Sequence, residues 1–328
     1  MKAAILGAGF IAEFHAMGYA ALEGVKLCAV CDSEPLKAQA LAERFHCAWY
    51  TETSALLTEQ KPDLVSVCLP TFLHADYVCM ALESGAHVLC EKPLALTTED
   101  CERMQRRAEA CGRILMTGQV LRWWPEYQTI ASHIHRLGAP LFIRAQRLQH
   151  PSRIVWQMQP DLGGGALFDL FVHDVDYILG LMGTDAEVIT ANGSRGAEGS
   201  WRRVCATLRW PNGCHATVEA CSQMPPHYPF TASFHAAYPK AALDYRFRTA
   251  VNIQLDAKAD AEFFLYDHGE ATALPLSQNA QESAFRAEIA AFVQGVLEGV
   301  SPLPPEETLS VMRLIHQVKT QLEKEVSA

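Results

Sequence analysis

Lys92 closes an apolar run, Ala86-His87-Val88-Leu89-Cys90-Glu91, and is followed by Pro93. The run reads as a strand of a parallel sheet. Ligands of such sheets sit beyond the carboxyl ends of the strands, so Lys92 is either a cation at a ligand rim or a solvated strand end. A second set follows the glycine run Gly163-Gly164-Gly165, where Asp169 and His173 stand four residues apart. On a helix that spacing puts both on one face, close enough for the carboxylate to orient the imidazole and set which nitrogen carries the proton. The same pattern also suits an acid near a helix N-terminus beside an ordinary helical histidine. As chemistry, an imidazole oriented by a carboxylate offers acid–base work, and a lysine at a strand end offers a fixed positive charge.

A third pattern supplies an anion site. Lys2-Ala3-Ala4-Ile5-Leu6 runs into Gly7-Ala8-Gly9-Phe10-Ile11-Ala12 and then into a helical stretch from Glu13 to Leu22. One glycine makes the tight turn and a second lets the backbone approach a pyrophosphate at a helix N-terminus, where N–H groups and the helix dipole favour negative charge. Twenty residues past Ala12 comes Asp32, at the end of the apolar run Val25 to Cys31, placed to accept hydrogen bonds from an adenosine ribose. Its carboxylate would repel a 2'-phosphate, which favours NAD over NADP. Ser33, Lys37 and Arg44 are the nearby residues that would accommodate such a phosphate.

The elements that position these groups follow from hydrophobic periodicity. Strands are predicted at 2–6, 26–31, 48–50, 63–69, 86–90 and 114–118, alternating with amphipathic helices, the pattern of a parallel sheet covered on both faces. From about Gln119 the period changes. Residues 203–210 and 214–221 alternate about Pro211-Asn212-Gly213, a hairpin, and runs at 231–237, 241–247 and 262–266 extend it to a mostly antiparallel sheet of about five or six strands. A helix is expected at 166–182. Two more close the chain, one carrying Phe285, Ile289, Phe292, Val293, Val296 and Leu297, the other running from Glu306 to about Glu325. The expected domains are therefore 1–120 and 121–328. Helices on one face of an open sheet leave the other face for a second copy, so a homodimer or homotetramer is expected.

Composition bounds the function classes. Hydrophobic residues make up 49% and charged residues 20% of 328, a globular composition long enough for two packed units. The net charge of -10 argues against nucleic acid and against an anionic membrane surface as partners. No uncharged apolar run approaches the ~18 residues of a membrane span, and no leader pattern stands at the N-terminus, so a cytoplasmic protein is expected. Eleven cysteines, an odd number scattered through predicted elements, read as small buried hydrophobes in a reducing compartment. Cys28 and Cys31 match C-x-x-C in spelling alone, since an offset of three along a strand puts them on opposite faces. No metal is expected: His173 with Asp169 or Asp174 finds no third and fourth ligand at usual spacing, and His133 with His135 is off the helical period.

Taken together, the turn Gly7 to Ala12, Leu69-Pro70-Thr71-Phe72-Leu73-His74, Gly85-Ala86-His87-Val88-Leu89-Cys90-Glu91-Lys92-Pro93-Leu94, Arg122-Trp123-Trp124-Pro125-Glu126-Tyr127 and the glycine run leading to Asp169 and His173 closely resemble the glucose-fructose oxidoreductase, inositol dehydrogenase and rhizopine-catabolism family (Gfo/Idh/MocA). The segments span the chain in that family's order. The resemblance implies an α/β fold, an N-terminal Rossmann doubly wound parallel sheet plus a C-terminal α+β domain with a mostly antiparallel open sheet. It implies that Gly7, Gly9, Phe10 and Ile11 hold a pyrophosphate and Asp32 the adenosine ribose, and that Leu69, Pro70, Thr71 and His74 line the cofactor groove. Glu91 would reach the nicotinamide ribose. Lys92, Asp169 and His173 resemble the family's catalytic set, with His173 as base or acid on the reacting oxygen, Lys92 polarising that oxygen and Asp169 steering the histidine. Arg122 and Trp123 are expected beside them at the substrate. Trp156-Gln157 stands where the family often has Trp-Arg at the nicotinamide end, and Ala237-Tyr238-Pro239-Lys240-Ala241 replaces a Gly-Thr-x-Gly-like turn.

The activity implied is that of an NAD(P)-dependent oxidoreductase, moving a hydride between a nicotinamide cofactor and a secondary hydroxyl or ketone of a sugar, inositol or related polyol. Two other readings belong to different classes. One is a glycosidase that uses bound NAD to oxidise a sugar transiently. The other is a non-catalytic regulator that binds nucleotide and sugar. The lack of an export signal weighs against the first, and the intact Lys92, Asp169 and His173 against the second.

Overall fold

Ala3, Ala4, Ile5 and Leu6 are all buried, which an alternating half-exposed strand would not allow and a strand covered on both faces requires. They form β1 (Lys2–Leu6), the first strand of a unit built as α1 (Phe10–Ala20), β2 (Lys26–Cys31), α2 (Pro35–Phe45), β3 (Ala48–Tyr50), α3 (Thr53–Gln60), β4 (Leu64–Val67), α4 (His74–Glu83), β5 (His87–Glu91), α5 (Thr98–Cys111) and β6 (Leu115–Gly118). The computed structural model describes residues 1–249 and 259–327. The six strands pair in parallel in the order β3-β2-β1-β4-β5-β6. That order reverses between β1 and β4, the switch point where open parallel sheets leave a crevice. Local signals agree with the elements: Thr97 caps α5 by accepting from the Asp100 amide at 3.1 Å, and Gly112 ends the same helix in the left-handed conformation.

The second unit contains α6 (Pro125–Leu137), β7 (Phe142–Leu148), α7 (Ala166–Asp169), α8 (Phe171–Met182), β8 (Glu187–Arg195), β9 (Trp201–Arg209), β10 (His215–Cys221), β11 (Phe230–Ala237), β12 (Ala241–Thr249), β13 (Ala259–Asp267) and β14 (Glu270–Ala273). Its eight strands pair in the order β14-β13-β12-β11-β7-β10-β9-β8, and only β7 and β10 run parallel. Helices α7 and α8 pack against β7, β9 and β10. The aromatic core is a chain of edge contacts: Tyr127 with Tyr177 (4.7 Å between centroids), Tyr127 with Tyr245 (5.6 Å) and Tyr245 with Phe263 (5.3 Å).

The sheet is larger than the five or six strands expected, for three local reasons. Strand β7 hides its alternation because Arg147 takes an inward position that an apolar residue usually fills. Strand β8 shifts register between Val188 and Thr190 and between Ser194 and Arg195, which breaks the period of two. Strand β14 exposes all four residues and has no buried face to detect. The helix expected at 166–182 is interrupted at Leu170, between α7 and α8.

The chain passes into the second unit after Trp124 and comes back. Gln281–Leu309, which holds nearly all of α9 (Ala280–Glu298) and the start of α10 (Pro305–Ser327), belongs to the first unit, whereas a single crossing near residue 120 was expected. The apolar stripe of α9 explains the return. Ile289, Phe292 and Val293 join one core with Ile5, Ala12, Ala16, Tyr19, Val30 and Leu89, and Phe285 stacks on Phe14 at 4.9 Å.

Candidate active site

The ends of β1, β2 and β4 are drawn together at Gly7. Its amide donates to Cys31 O at 2.7 Å, its φ is +97°, and a Cβ there would lie 2.3 Å from Cys68 O, so no side chain fits. Gly9 caps the start of α1 and is exposed, and a Cβ built on it would meet nothing within 4 Å. Phe10 and Ile11 follow as the first two residues of the helix, positions whose N–H groups have no acceptor within the helix. Asp32 is fixed by two main-chain donors, Ala8 N to Oδ2 at 2.7 Å and Glu34 N to Oδ1 at 2.8 Å. The room left over Gly9, the helix N-terminus behind it and the pinned carboxylate fit a dinucleotide: pyrophosphate at the turn, ribose at Asp32.

The nearby cations have acidic partners. Lys37 pairs with Glu34, and Arg44 with Glu13 at 2.7 Å, while Ser33 is exposed. Leu69 and Pro70 are half-buried beyond β4, and Thr71 opens a short 3-10 turn, Thr71–Leu73, in which it is buried.

At the end of β5 the structure gathers residues that the sequence scatters. Lys92 is half-buried and precedes a cis peptide bond to Pro93. Glu91 Oε1 lies 3.0 Å from His15 Nε2, and Glu91 Oε2 accepts from the Lys92 amide at 3.3 Å. His74, expected to line the groove, is instead 1% exposed and faces main-chain carbonyls on both sides: Nε2 is 2.8 Å from Leu69 O, and Nδ1 is 3.0 Å from Pro93 O and 3.3 Å from Leu94 O. It clamps the segment after β4 to the turn that carries Lys92. The buried Cys90 thiol beside them is pushed well above its ordinary value by burial and by the Glu91 charge, which makes it a packing group and a poor nucleophile.

Burial holds the His74 pKa below its ordinary value of 6.5, against the opposing pull of the three carbonyls. The unfolded chain takes up this proton first, so the stability that His74 contributes is present above pH 6.5 and is lost as the pH falls through the lower, folded value. His74→Gln is expected to flatten the acid side of the stability profile by up to about 1.4 kcal/mol per pH unit. Urea unfolding of both proteins at neutral and mildly acid pH checks this. Parallel curves would remove His74 as the cause.

In the second unit the glycine run makes room for its neighbours. A Cβ on Gly163 would lie 2.4 Å from Gln157 Cα, and one on Gly165, at φ +68°, 2.5 Å from Trp201 O. Trp156 and Gln157 are thus set against the run, with Gln157 O accepting from the Gly165 amide and Gln157 Oε1 from Ser152 Oγ at 2.6 Å. Asp169 ends α7 and His173 lies in the first turn of α8, both half-buried, and the intervening Leu170 keeps helical angles. Next to His173, Asp174 is gripped by Arg147, Nε to Oδ2 at 3.0 Å and Nη2 to Oδ1 at 2.9 Å, with both side chains buried.

Two expected substrate contacts have neighbours in their own unit. Arg122 Nη1 donates to Glu307 Oε2 at 2.6 Å, and Trp123 packs partly buried against the apolar core. His15, Ser66 and Glu307 in the first unit, and Arg147 in the second, are partners of these residues that the motifs did not mark.

Residues 1–119 match the Gfo/Idh/MocA family model described as an oxidoreductase family with an NAD-binding Rossmann fold, and residues 127–243 match the model of the Gfo/Idh/MocA C-terminal domain. Among curated proteins, the chain is 36% identical over 190 residues to a D-glucoside 3-dehydrogenase of Escherichia coli, covering 55% of this chain and 54% of that one. It is 31% identical over 196 residues to a 2,7-anhydro-N-acetylneuraminate hydratase of Mediterraneibacter gnavus, covering 58% and 51%. The chain thus spans about half the length of these curated relatives. In fold it is similar to a crystal structure of a 3-ketoreductase from Actinomadura kijaniata in complex with NADP and TDP-benzene, with a TM-score of 0.84, 23% identity and 98% of both chains covered. The open glycine turn, the parallel sheet with its switch point, the open second sheet and both family models agree: the chain belongs to the Gfo/Idh/MocA family.

Proposed function

We propose that the protein is an oxidoreductase that moves a hydride between NAD and a secondary hydroxyl or ketone of a sugar, inositol or related polyol. The observation that carries this reading is the placement of Lys92 just past the carboxyl end of β5, in the same sheet whose β1 end carries the open Gly9 turn and whose β2 end carries the pinned Asp32. A bound nicotinamide would supply the hydride acceptor for oxidation and the hydride donor for reduction. His173 takes the hydroxyl proton as the C–H bond breaks, Asp169 steers the imidazole, and Lys92 stabilises negative charge on the oxygen.

The preference for NAD over NADP rests on charge. Asp32 presents a carboxylate where a 2'-phosphate would sit, and the Lys37 and Arg44 charges are already matched by Glu34 and Glu13. A cytoplasmic protein with a small-molecule substrate is in keeping with eleven free cysteines and a net charge of -10. No helix among the described residues is long and apolar enough to cross a membrane. The reading includes a homodimer or homotetramer joined through the face of the eight-stranded sheet that carries Arg144, Gln146, Arg203 and Glu219.

The test is a panel of alkyl glucosides, free sugars and inositols, each with NAD or NADP, followed by nicotinamide absorbance. Reduction with at least one member is expected, and NADH is expected to bind about tenfold more tightly than NADPH by fluorescence, a gap that Asp32→Ser narrows. Failure of NADH to bind, or no turnover across the panel, would end the reading. The relative named a hydratase favours one further possibility, a sugar altered with no net change in NAD, so the sugars are also followed by mass spectrometry.

A further inference from the structure

The first helix and the returning helix place polar side chains beneath the end of β5. His15 lies on the inner face of α1 and is fully buried. Its Nδ1 is 2.8 Å from Ser66 Oγ on β4, and Ser66 Oγ is 2.8 Å from the Tyr19 hydroxyl. A donor chain consistent with these contacts runs from Tyr19 O–H to Ser66, from Ser66 O–H to His15 Nδ1, and from His15 Nε2–H to Glu91 Oε1. Glu288 of α9, also fully buried, brings a second carboxylate, so that a ring nitrogen of His15 and a carboxylate oxygen each of Glu91 and Glu288 all lie within 4.8 Å of one another.

Burying an imidazole with two carboxylates carries a desolvation cost, and apolar side chains of similar volume would hold α1 on the sheet at least as well. The geometry points to a task at Lys92. Glu91 Oε2 accepts from the Lys92 main-chain N–H, so His15 and the Lys92 backbone each hold one oxygen of the same carboxylate. Gly118 of β6 leaves room for it, since a Cβ there would lie 3.1 Å from Glu91 Oε1. His74 grips Pro93 and Leu94 from the other flank.

We propose that His15 is a positioning residue for Lys92, acting through Glu91. The inference rests on the reading of Lys92 as the cation that polarises the reacting oxygen.

Two substitutions separate the contacts of the ring. His15→Asn keeps an amide where Nδ1 meets Ser66, and His15→Gln keeps one where Nε2 meets Glu91. His15→Asn is expected to lower kcat on the best panel substrate by roughly tenfold or more while the NADH affinity moves by less than roughly threefold. His15→Gln is expected to recover most of the loss. A readout that needs no substrate runs beside it: the rate of Lys92 acylation by acetic anhydride, followed by mass spectrometry against the exposed Lys240, is expected to change by roughly threefold in His15→Asn and to return in His15→Gln. If His15→Asn does not fold, Gly118→Ala pushes on the same carboxylate from β6 and is expected to change Lys92 acylation likewise.

Lys92→Met separates the two layers of inference. Retained turnover in Lys92→Met ends the reading of Lys92 and this proposal with it. Lost turnover in Lys92→Met, with kcat and acylation unchanged in His15→Asn, leaves that reading intact and overturns the brace alone. A roughly tenfold fall in NADH affinity in His15→Asn would mean that His15 acts on cofactor binding and would overturn the brace to Lys92. Zinc retained at one equivalent by the unaltered protein, and not by His15→Asn, would make the cluster a metal site and overturn the proposal.

Discussion

Replacing His173 by alanine is expected to lower kcat by about 10²- to 10⁴-fold, the range of a positioned general acid or base, with the fold and the affinity for NADH kept. The fold should survive because His173 is only half-buried, so its removal opens no core cavity. NADH affinity should survive because the glycine turn and Asp32 belong to the first unit and His173 to the second. Lys92→Met is expected to fall by about 10²- to 10³-fold, the size of one lost donor to a developing oxyanion. If both groups act on one oxygen in one step, the double variant falls by much less than the product of the single losses. Steady-state kinetics of the four proteins measures this. A loss below about tenfold in a folded His173→Ala protein would take the proton-transfer role away from the imidazole.

What the sequence makes legible is what local backbone geometry demands. Gly7 can be read because its positive φ and the 2.3 Å approach to Cys68 O exclude every side chain, and Asp32 because it ends the strand after the turn. Lys92 and Pro93 announce themselves at a strand end for the same reason. The positioning groups are hidden because their meaning depends on tertiary partners. His15 lies on the buried face of α1 with Ala12, Ala16 and Tyr19, and Glu288 within the apolar stripe of Phe285, Ile289 and Phe292. A polar residue inside an apolar stripe was the available signal, yet it does not say which carboxylate or hydroxyl waits opposite. His74 shows the reverse case. Its motif position is plain, but its burial between two carbonyl-bearing segments is a property of the packed structure.

Asp174 is the clearest instance of a partner that only the fold reveals, and its loss is expected to have the largest effect on stability. Arg147 on β7 and Asp174 on α8 meet through two parallel hydrogen bonds, and the Tyr127 hydroxyl lies 3.4 Å from Arg147 Nη2. Asp174→Ala leaves a guanidinium in the core with no carboxylate opposite it, an uncompensated buried charge that costs about 3–5 kcal/mol. In a unit of this size that corresponds to a fall in Tm of roughly 10 °C. Arg147→Met alone is expected to cost a similar amount by stranding Asp174. The double replacement, Arg147→Met with Asp174→Leu, removes both charges and is expected to regain most of the stability, because apolar residues of similar volume commonly replace a buried pair at no loss. Activity separates the two roles of the pair. Asp174 follows His173 directly on α8, so a double variant that regains its Tm but turns over slowly would mean that the bidentate contact sets the angle of the helix turn carrying the imidazole. Full recovery of both would mean that the pair only fills space between β7 and α8. A single Asp174→Ala variant as stable as the parent in thermal and denaturant unfolding would contradict the buried ion pair itself.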